Sequence, residues 1–225
     1  MSLATIQALV VDLLRDDAGR VSTTERDRAI GLAVAQYSRD LPRAVVEDVV
    51  ADGTAILPLP TAWVAGRSVV AALEYPIGRW PPILLDAVFV GVANTPAGQE
   101  IRLVSAIGPG QTVRVTIQIP HVLDATTDTL PSADHEPVAS YAAGLLLDQL
   151  AALYATDGDS TIQADSVDHR AKSDIYRSLA KAARQRYFDA LGIDPKRQRP
   201  AGVVVNLALP DSQGRDRLTH PERYR

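Results

Sequence analysis

The chain has no cysteine among its 225 residues, which removes disulfides, thiolate catalysis and Cys-ligated zinc together. Aromatic residues make up only 5%, so a core has to be packed mainly from Ala, Val and Leu. No uninterrupted apolar run approaches the length of a membrane span. Nothing at the start reads as a secretory signal, because Met1-Ser2-Leu3 leads straight into a pattern broken by Asp12, Arg15, Asp16 and Asp17. These absences lead to the expectation of a soluble protein made in the cytoplasm. No Gly-rich phosphate loop follows a strand, since Gly108-Pro109-Gly110 has no lysine near it and reads as a hairpin turn. The apolar fraction, 46%, is that of a folded chain, and the length suits one domain or one domain with a large insertion.

Charge is unevenly spread. The net charge is −4. From Asp194 to the end there are 7 Lys/Arg and 4 Asp/Glu, leaving 16 basic and 23 acidic residues before it, so an arm of +3 follows a body of −7. The arm runs through Lys196-Arg197-Gln198-Arg199, then an apolar Val203-Val204-Val205-Asn206-Leu207-Ala208-Leu209, and ends Pro221-Glu222-Arg223-Tyr224-Arg225. It cannot form a core of its own, and a bare Val-Val-Val-x-Leu-x-Leu strand invites aggregation unless something covers it. The arm is therefore expected to lie on another subunit. A basic arm on an acidic body suits docking onto an acidic neighbour.

The rest of the chain alternates helical and extended textures. Ser2 precedes an apolar stripe at Leu3, Ile6, Leu9, Val10, Leu13 and Leu14, with Gly19 as its stop. Ser22-Thr23-Thr24-Glu25 has the capping-box spacing, and opens a second helix with Ile30, Ala33, Val34, Tyr37 and Leu41 on one face, ended by Pro42. Extended segments follow at 44–50, 55–60 and 68–75, with a turn at Ala51-Asp52-Gly53-Thr54 and a Pro-rich loop from Pro76 to Pro82. Residues 100–104 and 111–119 read as a hairpin about Gly108-Pro109-Gly110. Within it Val113, Val115, Ile117 and Ile119 alternate with Arg114, Thr116 and Gln118, the period of a half-buried antiparallel strand. Helices return at Pro131-Ser132-Ala133-Asp134, with Val138, Tyr141, Leu145, Leu146, Gln149, Leu150 and Leu153 inward. A last helix is expected over 164–191, with Val167, Ile175, Tyr176, Leu179, Ala183 and Tyr187 inward. Four amphipathic helices are simplest to satisfy as a bundle. The expected fold is thus α+β: a discontinuous four-helix bundle (1–42 and 130–192), an inserted β module (43–129) and an extended C-terminal arm (193–225).

That order resembles the head-to-tail connector adaptors of tailed bacteriophages. The segments most like those proteins are Ala33-Val34-Ala35-Gln36-Tyr37-Ser38-Arg39-Asp40-Leu41-Pro42-Arg43, Leu73-Glu74-Tyr75-Pro76-Ile77-Gly78, and Ser160-Thr161-Ile162-Gln163-Ala164-Asp165-Ser166-Val167-Asp168-His169-Arg170-Ala171-Lys172-Ser173. The likeness covers most of residues 3–191 and lies in organisation and wording without a short diagnostic motif. It implies a virion structural protein with no catalysis and no cofactor. Its copies would form a homo-oligomeric ring, typically of twelve, under the portal protein and above a downstream neck, stopper or tail protein. DNA would pass through the channel without sequence-specific contacts, and no membrane is involved. The arm residues Arg197, Arg199, Val203, Val204, Val205, Leu207, Leu209, Arg217, Arg223 and Tyr224 would then be portal or subunit contacts. A fully extended thirty-residue arm reaches roughly 100 Å, and Val203–Leu209 can add to a partner's sheet edge.

Several constellations carry competing chemistry. Asp165, Asp168 and His169 have helical spacing that can gather a metal, so a metal-dependent hydrolase is the alternative, set against a solvated helix start where carboxylates suit the dipole. Asp157-Gly158-Asp159 lacks the ligand count of a calcium loop. His121, His135, His169 and His220 sit in unrelated contexts, and no Ser-His-Asp set is suggested. The basic tail gives a third reading, a nucleic-acid-binding module acting through phosphates. Trp80, in the Pro-rich loop, is a candidate neck-side contact; the opposing reading has it capping the small core of its own sheet.

Overall fold

The computed structural model describes residues 3–14, 19–85, 90–95, 98–156 and 172–195. The protein is α+β, with four helices and two three-stranded sheets among the described residues. In chain order the elements are α1 (Leu3–Leu14), α2 (Thr23–Asp40), β1 (Arg43–Val50), β2 (Ile56–Leu57), β3 (Val69–Glu74), β4 (Val90–Thr95), β5 (Gly98–Leu103), β6 (Thr112–Ile119), a 3-10 turn (Ser132–Asp134), α3 (His135–Thr156) and α4 (Lys172–Leu191). The chain divides into two compact units. One takes Met1–Ala44 and Gln118–Arg197, so it is built from chain on both sides of the other, which holds Val45–Ile117.

In the helical unit α1, α2 and α4 each pack on α3. The start of α2 is a complete capping box: the Glu25 N–H donates to Ser22 Oγ and the Ser22 N–H donates to Glu25 Oε2, satisfying two amides the helix leaves free. Ile6, Val10, Ile30, Ala33, Tyr37, Val138, Ala142, Leu146 and Tyr187 form a continuous core. Two tyrosines tie its elements together. Tyr37 Oη of α2 donates to Asp134 at 2.5 Å, and Tyr187 Oη of α4 donates to Asp40 of α2 at 2.6 Å. Burial and these carboxylate acceptors both push the two phenols well above the ordinary tyrosine range. The α3–α4 contact is close. A Cβ on Gly144 would fall 2.9 Å from Arg184 Cγ and 3.2 Å from the Ala180 carbonyl oxygen, so a side chain there would push the helices apart. Asp148 and Arg184 pair across the same contact.

The inward face expected of α3 needs correcting. Gln149 is exposed and Leu153 is 45% exposed, while Ala139, Ala142, Ala143, Leu147 and Ala151 are buried. Three neighbouring helices cover α3 on several sides, so small residues off any single stripe are buried as well. The same wrapping bears on membrane composition. Ser132–Ala155 is long and apolar enough to cross a membrane (mean hydropathy 1.3), although the uninterrupted runs are short. Over half of that window is buried among the other helices, which is how a central core helix passes the test. On α4, Ile175 and Leu179 are nearly half-exposed rather than inward, and Leu41 at the end of α2 is exposed. The start expected for α4 at 164, with Val167, lies outside the described residues.

In the β unit, β6 lies between β1 and β3, and β5 lies between β2 and β4. This corrects the expected 100–119 hairpin. The partner of β5 is β4, antiparallel from Val90↔Leu103 to Thr95↔Gly98, whereas β6 belongs to the other sheet. Gly108-Pro109-Gly110 does not join paired strands. It is tied to the turn at Asp52, through Gly110 N–H to Ala51 O and Ala51 N–H to Gln111 O. The expected strand at 55–60 shortens to Ile56–Leu57, where two prolines follow. The alternation in β6 holds: Val113, Val115, Ile117 and Ile119 are buried and the residues between them are not. The chain after it, through Leu123 and Leu130, packs into the helical core.

Candidate interaction surface

The most exposed large apolar side chain described is Trp80, at 93%. Its backbone is firmly placed. After β3 the chain turns through Pro76–Pro82 and comes back beside itself, with the Tyr75 N–H donating to Ile83 O (3.0 Å) and the Leu85 N–H to Leu73 O (2.8 Å). Inside the turn the Gly78 N–H donates to Glu74 Oε1 at 3.1 Å, and Gly78 takes φ +86°, where a side chain is strained. The bonds Tyr75-Pro76 and Trp80-Pro81 are both cis. At 93% exposure the indole stands in water, so the reading in which Trp80 caps its own sheet is overturned. Ile83 (42%) and Leu84 (57%) are also exposed on the returning strand.

At the foot of this turn the unit has an apolar recess of about 340 Å³, lined by Tyr75, Leu85, Leu103, Val104 and Ile107 with Ser105 and Ala106. Val104 is 65% exposed and Ile107 6%, so the recess has an exposed apolar rim and a buried apolar residue at its base. It draws on the end of β3, the returning strand and the segment after β5. Nearby chemistry on the sheet is ionic and exposed: Arg114 bonds both oxygens of Asp48 (2.9 and 3.1 Å) and lies 3.7 Å from Glu74. The hydrogen bond from Arg114 holds the Asp48 carboxyl below its usual range, and the same partner raises Arg114. Such solvated pairs set orientation more than stability. Trp63, by contrast, is anchored internally, its Nε1–H donating to Gln99 Oε1 at 3.0 Å.

The helical unit has its own recess, about 370 Å³, where Leu13 and Leu14 of α1 face Leu147 of α3 and Ile175 and Leu179 of α4. Its half-exposed apolar residues are those misassigned to the core. The buried His135 has Nε2 3.2 Å from Asp128, beneath the 3-10 turn. His121 is pinned between two carbonyls, Thr129 O at 2.9 Å and Leu41 O at 3.1 Å, with its ring edge-on to Tyr37. His121 thus ties the segment after β6 to the end of α2. Among the described residues no three His, Asp or Glu side chains gather as metal ligands. The Asp165, Asp168 and His169 set, the Asp157-Gly158-Asp159 turn, and every arm residue from Arg197 to Tyr224 lie outside the described residues. Sequence reasoning found Trp80 but missed the recess, because its walls come from three separated segments and no local pattern marks them.

No protein-family model matches the chain. No curated protein matches it in sequence. Three solved structures show slight likeness. A chain from the "Neck of empty GTA particle computed with C6 symmetry" is 15% identical, with 76% of this chain and 88% of that one covered and a TM-score of 0.29. One from the "Virion of native gene transfer agent (GTA) particle" is 16% identical over 82% and 92% of the two chains, TM-score 0.27. One from the "Neck of native GTA particle computed with C12 symmetry" is 17% identical over 79% and 92%, TM-score 0.27. Superpositions this loose assign neither fold nor role to the chain.

Proposed function

We propose that the protein is a structural component of a phage-like virion. In this reading it is a four-helix bundle with a β insertion that acts as a ring-forming adaptor between portal and neck. The ring continues the DNA channel, the chain catalyses nothing, and it is made in the host cytoplasm. The carrying observation is the order of the chain. A helical unit is assembled from the segments before and after an intact β unit, the organisation on which the sequence resemblance to connector adaptors rests. Exposed apolar groups support it from a second side. An indole held in water at the tip of an ordered turn is a poor feature of a lone protein and a good one of an assembly part. The basic, apolar-centred arm from Asp194 to Arg225 is assigned to the portal or a neighbouring subunit, where a modest contact repeated around a closed ring gains strength by multivalency.

Mass photometry with and without a portal ring from the same genome tests this reading, with the full chain run beside a truncation after Gly192. Stoichiometric addition to the portal that is lost with the truncation is the expected result. Failure of both forms to bind removes the adaptor reading. A thermal transition lowered by millimolar EDTA points instead to the metal-dependent alternative, and salt-sensitive binding to any DNA to the nucleic-acid one.

A further inference from the structure

We infer that Trp80 of one copy inserts into the recess of the next, between Tyr75, Leu85, Leu103, Val104 and Ile107, so that the β unit carries both halves of a head-to-tail contact. The inference rests on the ring reading and names the contact that would close the ring. Three observations carry it. Trp80 is 93% exposed, so it does not occupy its own recess, and the paired backbone of 73–75 with 83–85 keeps the tip in place. The recess, about 340 Å³, is at the low end for ligand pockets, roughly 300–1,000 Å³. It is an open recess with a mainly apolar lining, which suits one bulky apolar side chain entering from outside. The third observation is one of area. A Trp insertion removes roughly 150–250 Å² of side chain from water, far below the roughly 1,000 Å² that a stable two-body interface clears. A single such contact does not hold a dimer, whereas the same contact repeated by one rotation closes into a ring, each copy giving a knob and taking one.

The absence of cysteine from the chain makes the test clean. In full-length Arg79→Cys/Ser105→Cys protein, a short bis-maleimide should link copies into a ladder of dimers, trimers and higher species. Adding Trp80→Ala, or Val104→Glu on the rim, should weaken association by about 30-fold or more, the size of a truncated Trp hot spot. Both positions are exposed, so each variant should keep the wild-type melting temperature. Mixed, Trp80→Ala and Val104→Glu proteins in the same two-cysteine background each retain one intact half, so the bis-maleimide should trap their single transient contact as a covalent dimer and nothing larger. A ladder indifferent to Trp80→Ala overturns the inference, as does one that ends at dimers in the otherwise wild-type background, which signals a two-fold contact. If portal-bound oligomers form but residues 79 and 105 never link, or Trp80 is needed only for a downstream neighbour, this contact falls and the ring reading stands. If the wild type associates with neither itself nor the portal, both fall.

Discussion

Replacing Tyr187 by Phe isolates one hydrogen bond in the centre of the helical unit. The Tyr187 ring is fully buried, against Tyr141 and Phe188, and its hydroxyl donates to Asp40 at 2.6 Å. Phenylalanine keeps the packing and removes only the donor. A hydrogen bond to a charged group is worth about 1.5–3 kcal/mol. Asp40 is only partly buried and keeps a second donor, Gln36 Nε2 at 3.1 Å, so the low end applies, about 1.5 kcal/mol. At roughly 2–4 °C per kcal/mol for a chain of this size, the melting temperature should fall by about 3–6 °C. Tyr187→Ala also opens a cavity and should cost about 3–5 kcal/mol. The pH dependence adds a signature. The folded phenol titrates above the ordinary value of 10, so its stabilisation is intact below pH 10 and is lost as pH rises beyond it. Urea unfolding of wild type and Tyr187→Phe, followed by circular dichroism at pH 8 and again above pH 10, should show a gap that narrows on the alkaline side. Equal stabilities at pH 8, or a Phe variant as unstable as the Ala variant, would refute the reasoning.

Two further outcomes follow from the same structure. Ser22→Ala removes the side-chain arm of the capping box at α2, the Oγ that accepts from the Glu25 N–H, while the backbone N–H of residue 22 can still donate to Glu25; it should cost about 1 kcal/mol, read as a 2–4 °C fall in melting temperature. On acidification, Glu25 (bonded by Ser22), Asp48 (by Arg114), Asp52 (by Thr54) and Asp124 (by the Thr126 and Thr127 amides) all have lowered pKa values. The folded state therefore binds fewer protons than the unfolded one. That share of stability is present above the ordinary carboxylate range, about 4, and is lost as pH falls through it. A melting temperature that holds or rises from pH 6 to pH 3 would contradict this.

What could be read from the sequence was local, and what escaped it was tertiary. The capping box at Ser22 and Glu25 and the alternation of Val113, Val115 and Ile117 depend on neighbours within a few residues, and they appear where the pattern puts them. Gly108-Pro109-Gly110 looked like a hairpin turn because turn chemistry does not say which strands pair. The choice was made by burial, which draws β6 between β1 and β3. β4 went unread because Val90–Thr95 carries one glycine and no clear alternation. On α3 the apolar stripe was sought on one side, but a helix wrapped on several sides hides alanines and leaves Leu153 outside. Trp80 was legible as a candidate from its Pro-rich setting. The recess at the foot of its turn has no local signature, because Tyr75, Leu85 and residues 103–107 meet only through strand pairing.

The split construction of the helical unit also sets an order in time. α1 and α2 leave the ribosome well before the helix they pack against, α3, which follows only after the whole stretch Val45–Ile117. At roughly 5–20 residues per second, the nascent chain spends several seconds with the apolar face of Ile6, Val10, Ile30 and Val34 waiting for its partner. The described part of the β unit, Val45–Ile117, is continuous in sequence and can close during that interval. The helical unit can thus be completed only after Val45–Ile117 has been made, and its early helices wait through that whole interval for the residues they pack against.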